Sequence, residues 1–190
     1  RFYWRAQGRP EKFKIVSRQW GYHAVTIGAM SATGIPAYHK MFAPVAPGHV
    51  HIPAPYYYRA DTMASWEEYG VEAANVLEKA ILREGPDTVA AFIAEPVQGA
   101  GGVIVPPADY FPRVREICDR HEVLFAADEV ITGFGRTGTW FALDHWGVAP
   151  DLVQFAKAIT SGYFPFGGVG VNDAIARVLD EGPGPWMHAY

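Results

Sequence analysis

Three short apolar runs each end at an ionisable side chain, and this pattern constrains the fold most. The runs read VAAFIA, LFAA and LVQFA and lie within segments 88–94, 123–127 and 152–156. Such short, nearly all-apolar strands are typical of a parallel sheet that is covered on both faces. The residues that follow them directly are Glu95, Asp128 and Lys157. The sequence therefore predicts buried strands that carry charged groups at their carboxyl ends.

Helical patterns separate these runs. Segment 65–83 ends before Gly85-Pro86 and has on one face Val71, Ala74, Leu77 and Ile81. Segment 109–121 predicts a second helix, with inward residues Tyr110, Phe111, Val114, Ile117 and Cys118. Asn172 can cap a last helix that runs to about Leu179. Strands that alternate with helices indicate an α/β fold with a mostly parallel central sheet flanked by helices.

The remaining segments predict smaller elements. Segments 12–17 and 168–171 read as strands, and AVTIGAMSATG predicts a short helix that ends at Gly34. Segment 39–61 holds four prolines and many aromatic residues, which favours an ordered loop.

Composition narrows the classes of protein. The chain has 190 residues, of which 49% are hydrophobic, and this suits one soluble domain. A net charge of −4 without a basic stripe argues against a nucleic-acid partner. No apolar run approaches membrane-spanning length, so no membrane partner is expected. Cys118 is the single cysteine, and without a signal peptide it fits a cytoplasmic protein.

Both ends of the chain are unusual for a complete protein. The sequence opens on RFYWRAQGRPEKFKIVSR without a starting Met and stops on PGPWMHAY. We therefore expect these 190 residues to be an interior segment of a longer chain, incomplete at both ends.

The charged residues at the strand ends predict a site, because ligands of open α/β sheets bind beyond the carboxyl ends of strands. A partly desolvated lysine can act as a neutral amine, and a buried aspartate needs a cationic partner. Pyridoxal phosphate uses both groups: the lysine bonds to it, and the aspartate keeps its ring nitrogen protonated. Charges that merely mark where strands leave the core are the plainer alternative.

Two other motifs suggest different chemistry. GFGRTG, at 133–138, matches the dinucleotide pattern G-x-G-x-x-G and follows a strand, but that pattern needs a helix opening at its last glycine. The aromatic segment TWFALDHWG follows instead. His49 and His51 could suggest a metal, but no cysteine or carboxylate partner is near in sequence, and we predict no metal site.

The motifs and their order resemble the class III, pyridoxal-phosphate-dependent aminotransferases of fold type I. The resemblance covers the whole chain, through GYHAVTIGAMSATG, AAFIAEPVQGAGGVIVPP, FAADEVITGFGRTG and DLVQFAKAITSGYFPFGG. It implies that residues 1–190 are part of the cofactor-binding large domain, without the N-terminal segment and the C-terminal small domain. The family's phosphate cradle and its carboxylate-binding arginine would then lie outside this segment.

The resemblance also assigns roles to residues. Lys157 resembles the catalytic lysine that bonds the cofactor and shuttles a proton, and Asp128 resembles the carboxylate on the pyridine nitrogen. Tyr22 resembles the aromatic residue that stacks on one face of the ring, and Val130 the apolar residue on the other. Two further cofactor-site residues are implied by the same match: Glu95, near the ring, and His23, which would orient Asp128.

Departures from the family pattern point to a subfamily. The glycine that usually follows the Tyr-His pair is Ala24 here, a replacement of little cost unless the turn needs a positive φ. Ala100 and Ile131 stand where relatives acting on ornithine, acetylornithine or γ-aminobutyrate commonly have Glu and Gln. Both replacements resemble the amine or ω-amino acid:pyruvate transaminases.

The resemblance therefore implies a homodimeric transaminase that moves an amino group from a primary amine or ω-amino acid to an α-keto acid such as pyruvate. Within the family, an α-ketoglutarate-linked aminotransferase and glutamate-semialdehyde aminomutase remain alternatives. Outside it, a nucleotide-dependent oxidoreductase and a fragment without catalysis remain open.

Overall fold

The structure is a computed structural model and describes residues 1–182. Its centre is a six-stranded sheet in the order β2-β1-β3-β4-β5-β6. The strands are β1 (Lys14–Arg18), β2 (His49–Ile52), β3 (Val89–Ala94), β4 (Leu124–Asp128), β5 (Leu152–Phe155) and β6 (Gly168–Val171). Strands β1 to β5 pair in parallel, and only β6 is antiparallel to its neighbour β5. The prediction of a mostly parallel α/β sheet is confirmed.

Within residues 1–182, six α-helices accompany the sheet. They are α1 (Phe2–Ala6), α2 (Ile27–Ala32), α3 (Pro36–Phe42), α4 (Trp66–Glu84), α5 (Tyr110–Arg120) and α6 (Asp173–Glu181). Helix α4 begins with a capping box: Ser65 Oγ accepts from the backbone N of Glu68, and the Glu68 carboxylate accepts from the backbone N of Ser65. Helix α6 begins where the sequence predicts, because the Asn172 side chain accepts from the backbone N of Ile175 at 3.0 Å.

The core lies between the sheet and the pair α4 and α5. All five predicted inward residues of α5 are buried, and the Phe111 ring stacks on Phe125 of β4 at 5.9 Å between centroids. Phe92 of β3 stacks on the same ring at 6.0 Å. Buried aromatic contacts of this kind hold α5 against the strands that end at Glu95 and Asp128.

Two predictions about this region are wrong. Segment 39–61 is not a plain loop: it contains the end of α3, strand β2 and a short 3₁₀ turn. Its prolines flank β2, a short strand at the edge of the sheet, and so they do not prevent pairing with β1. On α4, the predicted inward residues Ala74, Leu77 and Ile81 are buried, and only the inward placement of Val71, which is 40% exposed, is wrong.

Among residues 1–182, no helix combines the length and the apolar character that crossing a membrane requires.

Candidate active site

The carboxyl ends of β3, β4 and β5 bring the predicted charged residues together. Ala94 of β3 is in register with Ala127 of β4, and Asp128 is in register with Gln154 of β5. Glu95 and Lys157 follow these strands closely, so they reach the same end of the sheet. A small cavity there, of about 100 Å³, is lined by all six candidate residues: Tyr22, His23, Glu95, Asp128, Val130 and Lys157. The tertiary structure therefore places every predicted site residue around one space.

Asp128 is held rigidly in this cavity. Its carboxylate is only 4% exposed, and its Oδ2 lies 2.7 Å from Nδ1 of His23, which is buried as well. The backbone N of Val130 donates to Oδ1 at 3.2 Å. An ionised carboxylate only accepts hydrogen bonds, so Nδ1 of His23 is the donor in this contact. This arrangement fixes a buried negative charge, which favours a cationic ligand beside it.

His23 is itself oriented by the turn that follows it. Its backbone N donates to Thr33 Oγ1 at 2.8 Å, and the same hydroxyl donates to the carbonyl of Ala24 at 3.1 Å. Thr33 is fully buried and was not singled out by the sequence, because a threonine at a helix end carries no specific signal. It closes the turn between His23 and α2.

Ala24 adopts a φ of +84°, in the left-handed region. Alanine was expected to cost little stability here unless the turn needs a positive φ. Because φ is positive, that expectation does not hold. A residue with a Cβ in this region loses about 1–2 kcal/mol relative to its ordinary conformation. The turn that positions Tyr22 and His23 is therefore strained, and a glycine would relieve that strain.

Glu95 uses both carboxylate oxygens on the backbone. Oε1 accepts from the backbone N of Tyr22 at 2.9 Å, and Oε2 accepts from the backbone N of Gly99 at 2.9 Å. Glu95 is 3% exposed, and these charge-assisted bonds satisfy it. Glu95 thus connects the loop after β1 to the loop after β3 and fixes the position of the Tyr22 backbone.

Lys157 occupies a strained position at the end of β5. Its φ is +52°, and it opens a 3₁₀ turn, Lys157–Thr160. Its side chain lines both the small cavity and a larger, open one of about 840 Å³ that Ile131, Phe134 and Arg136 also line. The lysine therefore stands where a ligand held near Asp128 meets open space. Left-handed backbone in a residue other than glycine often marks a functional site.

Gln154 also belongs to this site, although no role was expected for it. It interrupts the apolar run of β5, lies beside Asp128 and lines the same small cavity. A polar residue inside an otherwise apolar strand was the available signal, since burying an amide is costly unless it finds a partner.

The remaining candidates do not form competing sites. At GFGRTG no helix opens at Gly138. Instead the chain folds back, and the backbone N of Phe134 donates to the backbone carbonyl of Trp140 at 2.6 Å. This geometry is wrong for a dinucleotide turn, which needs a helix N-terminus facing the phosphates. Burial in α5 raises the pKa of Cys118 to about 12, so this thiol is not a nucleophile.

A parallel α/β sheet with a lysine, a buried Asp–His pair and an aromatic residue at its carboxyl end fits a cofactor-dependent transferase. The sequence profile of the family described as Aminotransferase class-III matches residues 1–188. This chain belongs to the class III aminotransferases.

Known proteins agree with that membership. The chain is 50% identical, over its whole length, to the putrescine–pyruvate aminotransferase of Pseudomonas aeruginosa, and it spans 41% of that relative. It superposes with a TM-score of 0.96 and 51% identity on a thermostable (S)-enantioselective ω-transaminase from Thermomicrobium roseum, covering 100% of this chain and 42% of that one. The chain also superposes on an amine transaminase from an uncultivated Pseudomonas species, which was solved with pyridoxal phosphate bound. The TM-score is 0.96 and the sequence identity 44%, and the match covers 100% of this chain and 44% of that one.

Proposed function

We propose that this chain is part of a pyridoxal-phosphate-dependent transaminase. The enzyme would move an amino group from a primary amine or an ω-amino acid to an α-keto acid such as pyruvate. The observation that carries the proposal is the cavity in which Lys157 meets the buried pair of Asp128 and His23. The putrescine–pyruvate aminotransferase and the ω-transaminases among its relatives support the reaction class.

The residues present fit the cofactor. Asp128 offers a desolvated, fixed carboxylate, which suits the protonated nitrogen of a pyridine ring. Tyr22 supplies an aromatic surface and Val130 an aliphatic one within the same cavity, which suits a flat ring. Lys157 supplies the amine. These side chains would hold the ring and the aldehyde, and the phosphate would be left to residues outside the cavity.

When bound, pyridoxal phosphate supplies an electron-withdrawing pyridinium ring beside the carbon that loses its proton. The protein contributes the rest. Lys157 would hold the cofactor through its side-chain amine, and the same amine would carry the proton at the donor carbon. Asp128 would pair with the ring nitrogen, and His23, 2.7 Å away, would hold the Asp128 carboxylate in place. Tyr22, held at its backbone N by Glu95, limits the tilt of the ring.

The preference for amines or ω-amino acids with pyruvate rests on two side chains. Ile131 lines the cavity, and its Cδ1 would lie 2.6 Å from a Cβ placed on Gly99, so an aliphatic group fills this space. Ala100 offers no carboxylate in the loop beside it. An α-ketoglutarate-linked aminotransferase and glutamate-semialdehyde aminomutase are the alternatives within the family. We also propose that the enzyme is a homodimer, as expected from the family resemblance.

Reduction of the protein with borohydride tests the proposal. It should abolish the visible absorbance of the bound cofactor and leave a pyridoxyl group on the peptide that contains Lys157. Lys157→Ala should abolish amine:pyruvate turnover, whereas Lys79→Ala, which removes an exposed lysine of α4, should not. Recovery of the pyridoxyl group on any other lysine would disprove the assignment.

A further inference from the structure

Arg18 is a buried cation whose side chain is only partly satisfied. It lies at the end of β1 and is 1% exposed. Its Nη2 donates to the backbone carbonyl of Glu95. Within residues 1–182, Nε and Nη1 have no hydrogen-bond partner, and the guanidinium lies 5.7 Å from the ring centroid of Tyr110 and 5.8 Å from that of Phe111. Burying a guanidinium with one hydrogen bond and two aromatic neighbours is costly. The contact between Arg18 and the carbonyl of Glu95 must therefore contribute something that offsets this cost.

The contacts of Arg18 form a closed circuit of hydrogen bonds and backbone that includes Tyr22. The guanidinium holds the carbonyl of Glu95, and the Glu95 carboxylate holds the backbone N of Tyr22. The backbone N of Gly21, the preceding residue, donates to the carbonyl of Arg18 at 3.1 Å. One residue thus fixes the start of the turn with its backbone and the opposing loop with its side chain.

Two further contacts join the same pair of loops. Gln98 Nε2 donates to the carbonyl of Gln19 at 2.9 Å. A Cβ on Gly101 would lie 2.3 Å from the carbonyl oxygen of Trp20, so the loops approach too closely for any larger residue there. The loop after β1 and the loop after β3 therefore form one unit, and Arg18 is its buried charged member.

We infer that Arg18 is a positioning residue for the ring-binding side of the site. It acts through Glu95 on the location of Tyr22 and does not touch the ligand cavity itself. Neutral side chains at this position would fill the space, but they would release the Glu95 carbonyl and loosen both hydrogen bonds of the Glu95 carboxylate. The inference rests on the proposed function only where it concerns the cofactor. Its local effect on the loops is independent of it.

Hydrogen–deuterium exchange tests the inference with and without pyridoxal phosphate. Arg18→Met should speed exchange about tenfold or more in peptides covering residues 19–24 and 96–102 and leave the peptide covering β4 unchanged. Arg18→Lys, which keeps a donor, should restore most of the protection. Arg113→Met is the matched control, because it removes a partly buried cation of α5 whose contacts are Asn75, Glu78 and Glu116 and neither loop.

The cofactor gives a second measurement. Arg18→Met should raise the dissociation constant of pyridoxal phosphate about tenfold, and Glu95→Gln should reproduce both effects because an amide can accept only one of the two backbone bonds. Equal acceleration of exchange in every peptide would show a general role in stability and overturn the inference. Unchanged exchange at both loops would also overturn the inference. These measurements use the full-length protein, because the isolated segment would lack the phosphate cradle and is expected to be inactive. Loss of loop protection in a full-length protein that never binds the cofactor would contradict the proposed function and leave the positioning role of Arg18 intact.

Discussion

Nδ1 of His23 lies 2.7 Å from Oδ2 of Asp128, although 105 positions separate the two residues in the chain. Both side chains are buried, so the contact is shielded from water and from salt. It joins the turn after β1 to the end of β4. The pair places a carboxylate at the site, and its contacts with His23 and with the backbone N of Val130 hold that carboxylate in position.

Asp128→Asn should harm the chemical step more than retention of the cofactor. An amide cannot keep a pyridine nitrogen protonated, so the reaction loses its electron-withdrawing group. The barrier should rise by at least about 3 kcal/mol, which lowers kcat more than a hundredfold. Single-turnover kinetics on the cofactor-loaded variant measure this directly. Near-normal turnover would contradict the proposed role of Asp128.

His23→Asn and His23→Leu should differ in activity. The amide of asparagine can donate to Asp128 as Nδ1 does, whereas leucine leaves that carboxylate oxygen without its partner. A hydrogen bond to a charged group contributes about 1.5–3 kcal/mol, so His23→Leu should lower kcat roughly tenfold to a hundredfold. His23→Asn should retain most of the activity. If both variants lose activity equally, the hydrogen bond is not what His23 contributes.

Ala24→Gly should stabilise the protein. The left-handed φ of Ala24 costs about 1–2 kcal/mol, part of which the greater freedom of glycine in the unfolded chain offsets, so we expect a net gain of about 1 kcal/mol. Ala29→Gly in α2 is the matched control and should destabilise by about 0.5–1 kcal/mol. Urea unfolding measures both. A loss of stability in Ala24→Gly would show that the turn is not strained.

The stability of the protein should fall as the pH drops below about 6.5, in part because of His51. Burial, and then the nearby His39, lower the pKa of His51 below its ordinary value. Burial also lowers the pKa of its neighbour on β2, His49. A histidine with a lowered pKa binds protons more readily when unfolded, so its contribution is fully present above the unfolded pKa and is lost below it. Unfolding free energies measured from pH 8 to 5 should therefore decrease less in His51→Gln, and an unchanged slope would exclude this residue.

The sequence alone predicted the ionisable residues at the carboxyl ends of the strands. Glu95, Asp128 and Lys157 each follow an apolar run, and apolar strands have little room for charge until they leave the core. The prediction that all three strands are buried is wrong for β5, which is half-buried along its whole length. The inward face of α5 was equally readable, because its apolar residues recur with the period of a helix. Tyr22, His23 and Val130 entered only through the family resemblance, since nothing local distinguishes them from packing residues.

Tertiary structure alone decided the rest. Strand β2 has four residues among prolines, and its pairing with β1 outweighed that local signal. The left-handed turn at Ala24, the contact between His23 and Asp128, and the bridge from Arg18 through Glu95 to Tyr22 all join distant parts of the chain. Periodicity and spacing describe neighbours along the chain. By contrast, the distances that make a site depend on how the strands pair and how the loops beyond them pack.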